Sequence, residues 1–386
     1  MEFWKIIRQK FLEIKGLGII GFGDLTGAAI SSIFWLYLAS IIEPEQFGEI
    51  HFFLSITTIA SSIGLFGTQE SLTVLIAKGH KIQSTLNFIS LIITSVSSLF
   101  LIIFFQRIDV GILVFAFVIN TLSIGELLGK KQFFKYSQYN ILQKILTLFL
   151  GIGFLYAFGP SGIIYALGIS YTAYIIRIIK SFQNTPMDFK LVKEKFNFLS
   201  LNYMMYLIKS FGSQVDKIVV MPLVGTTVLG NYSLALQVIT IFSMTTTILF
   251  KFLLPQESSG IQNKFLVKLA IIVSVGISLI GIFLSPIVIP NFFPKYIDVA
   301  LAIQIMSFSI LPLTITTICH SRLLSKEKSK LVLLGDIVGL FILVLGIVIL
   351  GPIYGSIGIA ISFTIAIMSK SIYLSIIVKK LGDSKN

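Results

Sequence analysis

Residues 16–42 read GLGIIGFGDLTGAAISSIFWLYLASII, and the reading of the opening glycines decides the fold. GLGIIG satisfies the G-x-G-x-x-G pattern that cradles the pyrophosphate of a dinucleotide. That use requires a β-strand before the glycines and a polar-faced helix after them, inside a compact βαβ unit. Upstream, however, Met1–Lys15 is a charged amphipathic stretch with Phe3, Ile7, Phe11 and Ile14 near helical spacing. Downstream the apolar run continues unbroken through AAISSIFWLYLASII. Glu43 stands about where a ribose-binding acid would be sought, but it follows a membrane-length segment and begins a Glu-Pro-Glu turn. The stretch therefore reads as a first membrane-spanning helix. Gly16, Gly18, Gly21, Gly23 and Gly27 let it bend or approach a neighbour closely, as small residues do in membrane bundles.

The same solvent is implied along the whole chain. Of 386 residues, 55% are hydrophobic and only 12% charged, against about a quarter charged in soluble domains. Apolar runs long enough to cross a hydrocarbon core of about 30 Å recur from end to end, giving about twelve spans. They are placed near residues 17–42, 47–76, 85–105, 109–128, 140–158, 161–180, 198–224, 228–254, 265–289, 299–324, 331–350 and 354–378. The first segment is full length without a small-residue cleavage site, so it reads as a span and not as a removable leader. The single cysteine, Cys319, excludes an internal disulfide framework and a multi-cysteine metal site.

The net charge of +13 is explained by where the basic residues fall. The loops after odd-numbered spans carry only Arg107 and Lys295, whereas the alternate loops hold Lys78, Lys81, Lys130, Lys131, Lys135, Lys180, Lys190, Lys193, Lys195, Lys264, Lys326, Lys328 and Lys330. The positive-inside rule then puts those loops and both termini in the cytoplasm of a cell-membrane protein. A nucleic-acid surface is not needed to account for the charge.

The longest polar interruption, SFQNTPMDFKLVKEKFN at 181–197, divides the chain into an N-terminal lobe, 1–180, a cytoplasmic linker, and a C-terminal lobe, 198–386. Gly159-Pro160 recurs as Gly351-Pro352, and Ser170-Tyr171-Thr172 as Ser362-Phe363-Thr364 at the same separation. Leu127-Leu128-Gly129-Lys130 is answered by Leu323-Leu324-Ser325-Lys326. Two lobes of about six spans each would share one orientation, a parallel repeat typical of transporters that rock two halves around a substrate.

No catalytic constellation is legible. His51, His80 and His320 are far apart, no H-E-x-x-H or P-loop occurs, and no outer loop is long enough for a catalytic domain. Neither a cofactor nor a metal site is expected. Ionisable residues inside spans are the informative feature, because each costs about 2.5–3.5 kcal/mol at a helix centre and must face a partner, water or substrate. Lys209 and Asp216 lie about two turns apart on one face of the seventh span, and Lys217 points about 100° away from Asp216. Asp24, Glu70, Glu126, Arg177 and Asp336 complete the set. Glu126 and Arg177 sit near span ends, where a structural ion pair or a snorkelling side chain serves equally well. Trp35, Tyr37, Tyr296 and Tyr354 read as interfacial anchors.

The run VDKIVVMPLVGTTVLGNYSLALQVITIFSMTTTILFKFLLPQES resembles the polysaccharide and oligosaccharide flippases of the multidrug/oligosaccharidyl-lipid/polysaccharide exporter superfamily. The matching elements are Asp216-Lys217, Leu229-Gly230-Asn231-Tyr232 and Pro255, with Pro44-Glu45-Gln46-Phe47-Gly48 after the first span and Phe293-Pro294-Lys295-Tyr296 before the tenth. Where that family commonly has Phe-Gly-Tyr, this chain has Phe47-Gly48-Glu49.

The resemblance implies an all-α, MATE-like integral membrane protein with V-shaped, alternating-access lobes. It also implies a polyisoprenoid-linked glycan as substrate, a coupling proton or sodium ion, and glycan-assembly enzymes as neighbours. In that scheme Lys209, Lys217 and Arg177 contact phosphate or acidic sugar. Asp24, Asp216 and Asp336 pair with those cations or exchange the coupling ion, and Glu70 lies along the path. Two alternatives stay open, a multidrug or small-cation exporter of the same superfamily and a non-transporting scaffold for glycan assembly.

Overall fold

A computed structural model describes residues 2–258, 264–296, 298–326 and 328–383. It is helical throughout: α1 (Glu2–Ile41), α2 (Pro44–Gly64), α3 (Gln69–Ala77), α4 (Gln83–Phe105), α5 (Ile108–Gly129), α6 (Phe133–Phe158), α7 (Gly162–Ser170), α8 (Ile175–Asn184), α9 (Phe189–Glu194), α10 (Phe196–Val224), α11 (Thr226–Ser258), α12 (Lys264–Phe292), α13 (Val299–Ser307), α14 (Ile310–Ser325) and α15 (Ser329–Asp383). A 3-10 turn, Thr172–Tyr174, joins α7 to α8. The G-x-G-x-x-G stretch is inside α1, with no strand before it.

Among the described residues nine helices are long and apolar enough to cross a membrane, or ten if α13 and α14, bent by 41°, form one span. The about twelve spans expected from sequence are reached by two further steps. First, α15 is interrupted at Gly355, whose φ of 56° is a left-handed conformation that only glycine adopts without strain. Each side of that break is about 26 residues, enough to span. Second, α10 is 29 residues long but carries Asn202, Lys209, Gln214, Asp216 and Lys217, so its length suits a membrane and its polarity asks for a hydrated face.

The chain forms two compact units, one of Met1–Trp35 with Phe53–Gln214, the other of Leu36–Phe52 with Val215–Asn386. These cut the chain at different places from the lobes read at 181–197. The tip joining α1 to α2 belongs to the second unit, and α10 contributes to both.

In the first unit a core of Leu65, Leu72, Leu75, Ile82, Leu86, Val118 and Leu122 gathers α3, α4 and α5, and Ile178, Val192 and Leu199 close it from α8, α9 and α10. Ser84 Oγ donates to the Ser181 and Thr185 carbonyls, each at 2.8 Å, fixing α4 to the segment expected as a linker. Asp188 caps α9 by accepting from the Leu191 amide at 2.9 Å, the ordinary way a helix start satisfies its orphan N–H groups. In the second unit Leu249, Leu253 and Ile318 join α11 to α14, and Cys319, Leu323 and Leu374 join α14 to α15. Large apolar side chains such as Phe22, Phe100, Phe104, Phe149 and Phe283 stay exposed, as lipid-facing groups do.

Candidate functional site

The sequence elements behind the family resemblance converge in the second unit. Gly48, at the start of α2, and Gly230, early in α11, meet backbone to backbone. A Cβ on Gly48 would strike the Thr226 carbonyl oxygen, and one on Gly230 the Pro44 carbonyl oxygen. Around this contact Phe47, Leu229, Tyr232 and Tyr296 are fully buried. The Phe47 ring meets Tyr296 edge-on, with centroids 6.1 Å apart, and tilts against His51 at 4.5 Å. Lys295 ties the same turn down, donating to the Ile41 carbonyl at 2.7 Å and pairing with Glu43 at 3.0 Å. Tyr296 thus departs from the anchor role expected for it. It is packed inside the unit, and burial, with the Glu43 carboxylate second, pushes its phenol above the ordinary range.

Asp216, 6% exposed, is joined to this region through Tyr232. Tyr232 Oη donates to its Oδ2 at 2.9 Å, and Lys217 Nζ reaches its Oδ1 at 3.3 Å. Both carboxylate oxygens are therefore engaged by strong donors. The expectation that Lys217 points away from its neighbour is corrected by the same observation. A flexible four-carbon stem crosses the angular offset between adjacent helix positions, and a buried cation gains by doing so.

Further charges of the second unit are paired as well. Asp336 on α15 is bridged by Lys370 at 2.5 Å and faces His320 at 3.9 Å, and Arg322 reaches Glu257 at 3.4 Å. In the first unit Arg177 on α8 meets Glu126 on α5 at 3.3 Å, and Lys130 closes on the same carboxylate. Glu126 and Arg177 are 4% and 8% exposed, so the structural ion pair is the arrangement present. Lys209 is exposed and forms no ion pair among the described residues. It stands about 10 Å along α10 from Asp216, whose carboxylate is held by Tyr232 and Lys217. Glu70 is exposed in the first turn of α3, where an acid complements the helix dipole.

Asp24 belongs to a different kind of region, a polar seam between α1 and α6 in the first unit. A Cβ on Gly23 would strike Ser137, one on Gly27 would come within 3.1 Å of Asn140 Nδ2 and 3.4 Å of Lys144 Cγ, and one on Gly151 would strike Phe34. Contacts that advance together along both helices make α1 and α6 parallel. That is the direction the first and fifth spans require. Gly18 and Gly21, by contrast, face open space.

Within the seam Tyr136 Oη donates to Asp24 Oδ1 at 2.6 Å, and Asn140 Nδ2 to the Gly23 carbonyl at 3.3 Å. Higher on α6, Gln143 and Thr147 bond to Ser170 Oγ at 3.1 and 2.9 Å. Ser170 is the last residue of α7 before the 3-10 break. The break therefore abuts the seam, and Tyr174 stacks at a tilt on Tyr139 with centroids 5.4 Å apart.

Lys144 lies in this seam and was not among the residues singled out from sequence. It is half-buried and has neither an ion pair nor a hydrogen bond among the described residues. The sequence reading starts the fifth span at residue 140, which leaves Lys144 near an interface. α6 in fact begins at Phe133, so Lys144 stands about three turns inside a continuous helix and not near its start.

No family model matches the sequence, and no curated protein matches it. Solved structures do. A structure described as lipid II flippase MurJ in an inward closed conformation matches with a TM-score of 0.76 at 16% identity, over 95% of this chain and 87% of that one. An inward-facing multidrug resistance MATE family transporter of the MOP superfamily matches with a TM-score of 0.70 at 15% identity, over 94% and 96%. A MATE crystal structure in complex with MaD5 matches with a TM-score of 0.63 at 15% identity, over 96% and 97%. The chain has the fold that these proteins share.

Proposed function

We propose that the protein, built on this transporter fold, moves a lipid-linked oligosaccharide or polysaccharide precursor from the cytoplasmic to the outer leaflet. The observation that carries the reading is the near-complete overlap of the chain with a lipid II flippase fold. The physics of the cargo supports it. A polar, pyrophosphate-bearing head is not solvated by hydrocarbon, whereas a polyisoprenoid tail is at home there. The protein need only offer the head a hydrated, partly cationic path opened to each side in turn, while the tail trails in lipid. Lys209 supplies cationic character along such a path, and Lys217 and Arg177 add to it where the cargo competes for their partners Asp216 and Glu126. Asp24, Asp216 and Asp336 hold counter-charges or a coupling proton or sodium ion, and Glu70 marks an end of the path.

A cell-membrane location with both termini in the cytoplasm follows from the lysine-rich alternate loops. Glycan-assembly enzymes on the cytoplasmic side are the natural suppliers of the cargo.

A second reading, export of a drug or small organic cation, draws on the comparable match to MATE transporters. Lysines on spanning helices weigh against it, since an ammonium group repels a cationic cargo and attracts an anionic head. The deciding experiment removes the protein from its cell. Accumulation of a lipid-linked glycan on the cytoplasmic leaflet is expected, and unchanged leaflet distribution with lost drug tolerance would favour the second reading.

A further inference from the structure

We propose that Lys144 is an anion-binding residue in the first unit, receiving a phosphate or carboxylate of the cargo's head group. The inference deepens the transport reading above and rests on it for the identity of the anion. Its physical basis is separate. Lys144 lies about 16 Å along α6 from Phe133 and about 21 Å from Phe158, inside a helix long and apolar enough to cross a membrane. A stem of about 6 Å does not reach either end of that helix. An ammonium at this depth costs about 2.5–3.5 kcal/mol unless it meets a counter-charge or water. The described residues give it no ion pair.

The surroundings are built to hold that stem and to solvate what it binds. Gly27 leaves room for the Lys144 Cγ, 3.4 Å from where a Cβ would sit. Helical side chains lean toward the N-terminus, which carries the amine toward the turn holding Asn140 and Tyr136. Asn140 presents an amide group there, and the nearby acid, Asp24, already accepts from Tyr136. The adjoining 3-10 break at Thr172–Tyr174 interrupts a helix at membrane depth. Such interruptions are tolerated where they line a cavity, and in transporters they accompany substrate sites. A cationic ligand is disfavoured by the ammonium itself. A neutral ligand would leave it uncompensated.

The test uses the full-length protein in detergent micelles. A pulse of the water-soluble reagent sulfo-NHS-acetate is read lysine by lysine by peptide mass spectrometry, with and without inorganic pyrophosphate. Lys144 is expected to be acetylated, and pyrophosphate to protect it several-fold more than the loop lysines Lys78, Lys190 and Lys330. In parallel, Lys144→Gln is expected to weaken calorimetrically measured pyrophosphate binding roughly tenfold, about 1.4 kcal/mol, while Lys144→Arg retains it.

An unreactive Lys144, equal protection of all lysines, or unchanged binding by Lys144→Gln would overturn the proposal. Because the wild-type labelling pattern is itself decisive, poor folding of a variant leaves the test intact. Loss of lipid transport with Lys144 protection preserved would sink the functional reading alone. Transport without protection would sink the anion site alone.

Discussion

The Asp216 cluster of the second unit and the α1–α6 seam of the first handle intramembrane charge in opposite ways. Around Asp216 every charge has a partner at hydrogen-bond distance, and two glycines bring backbones into direct contact. In the seam a carboxylate is held by a tyrosine, and an ammonium one to two turns away is left without an ion pair among the described residues. Paired buried charges resist change because removing one strands the other. An unpaired charge can be removed without stranding another. The comparison separates charges that maintain the fold from a charge the fold leaves unpaired among the described residues.

The largest stability effect is therefore expected at Asp216. Asp216→Ala strands Lys217 and the Tyr232 hydroxyl, and should lower unfolding free energy by about 3–5 kcal/mol, read as a lower midpoint in detergent thermal denaturation. The double change Asp216→Asn with Lys217→Gln should recover much of that loss. Failure to recover would show that the pair does more than neutralise itself. Next, Gly230→Ala drives a methyl into the Pro44 carbonyl and should cost about 1–3 kcal/mol by forcing the backbones apart. A wild-type melting midpoint would break the claim that this contact is tight.

Smaller still, Gly21→Ala on the open face of α1 should stabilise the helix by about 0.5–1 kcal/mol, whereas Gly23→Ala should destabilise through Ser137. Equal effects at the two glycines would remove the distinction drawn between them. At the small end stands Lys144→Met, expected to leave the melting midpoint unchanged or slightly raised while transport is lost. A melting loss as large as that of Asp216→Ala would place Lys144 with the structural charges.

Much of this was readable in the chain. The span positions followed from apolar run length, and the dismissal of the dinucleotide motif from the missing strand before Gly16. The parallel course of α1 and α6 followed from an odd-to-odd span count. Side-chain outcomes were less readable, for identifiable reasons. Lys217 was assigned by helical angle alone, but its stem is long enough to override the angle. Tyr296 carries the composition of an anchor, and only tertiary packing with Phe47 shows it buried. Lys144 escaped notice because FFKYSQY, residues 133–139, reads as interfacial loop, whereas it forms the start of α6 and leaves the lysine about three turns inside that helix. The breaks at Thr172–Tyr174 and Gly355 arise from packing and a single backbone angle, and hydropathy is blind to both.

The most direct measurement reconstitutes the full-length chain in sealed vesicles holding a fluorescent polyisoprenoid-pyrophosphate-linked sugar, and follows the leaflet distribution of that probe with an impermeant quencher. Redistribution well above that of protein-free vesicles is expected from the wild type, with loss in Lys144→Gln at an unchanged melting midpoint. Redistribution no faster than in protein-free vesicles, or equal acceleration of a neutral lipid-linked sugar lacking phosphate, would contradict the claim that this molecule carries anionic lipid-linked glycans across the bilayer.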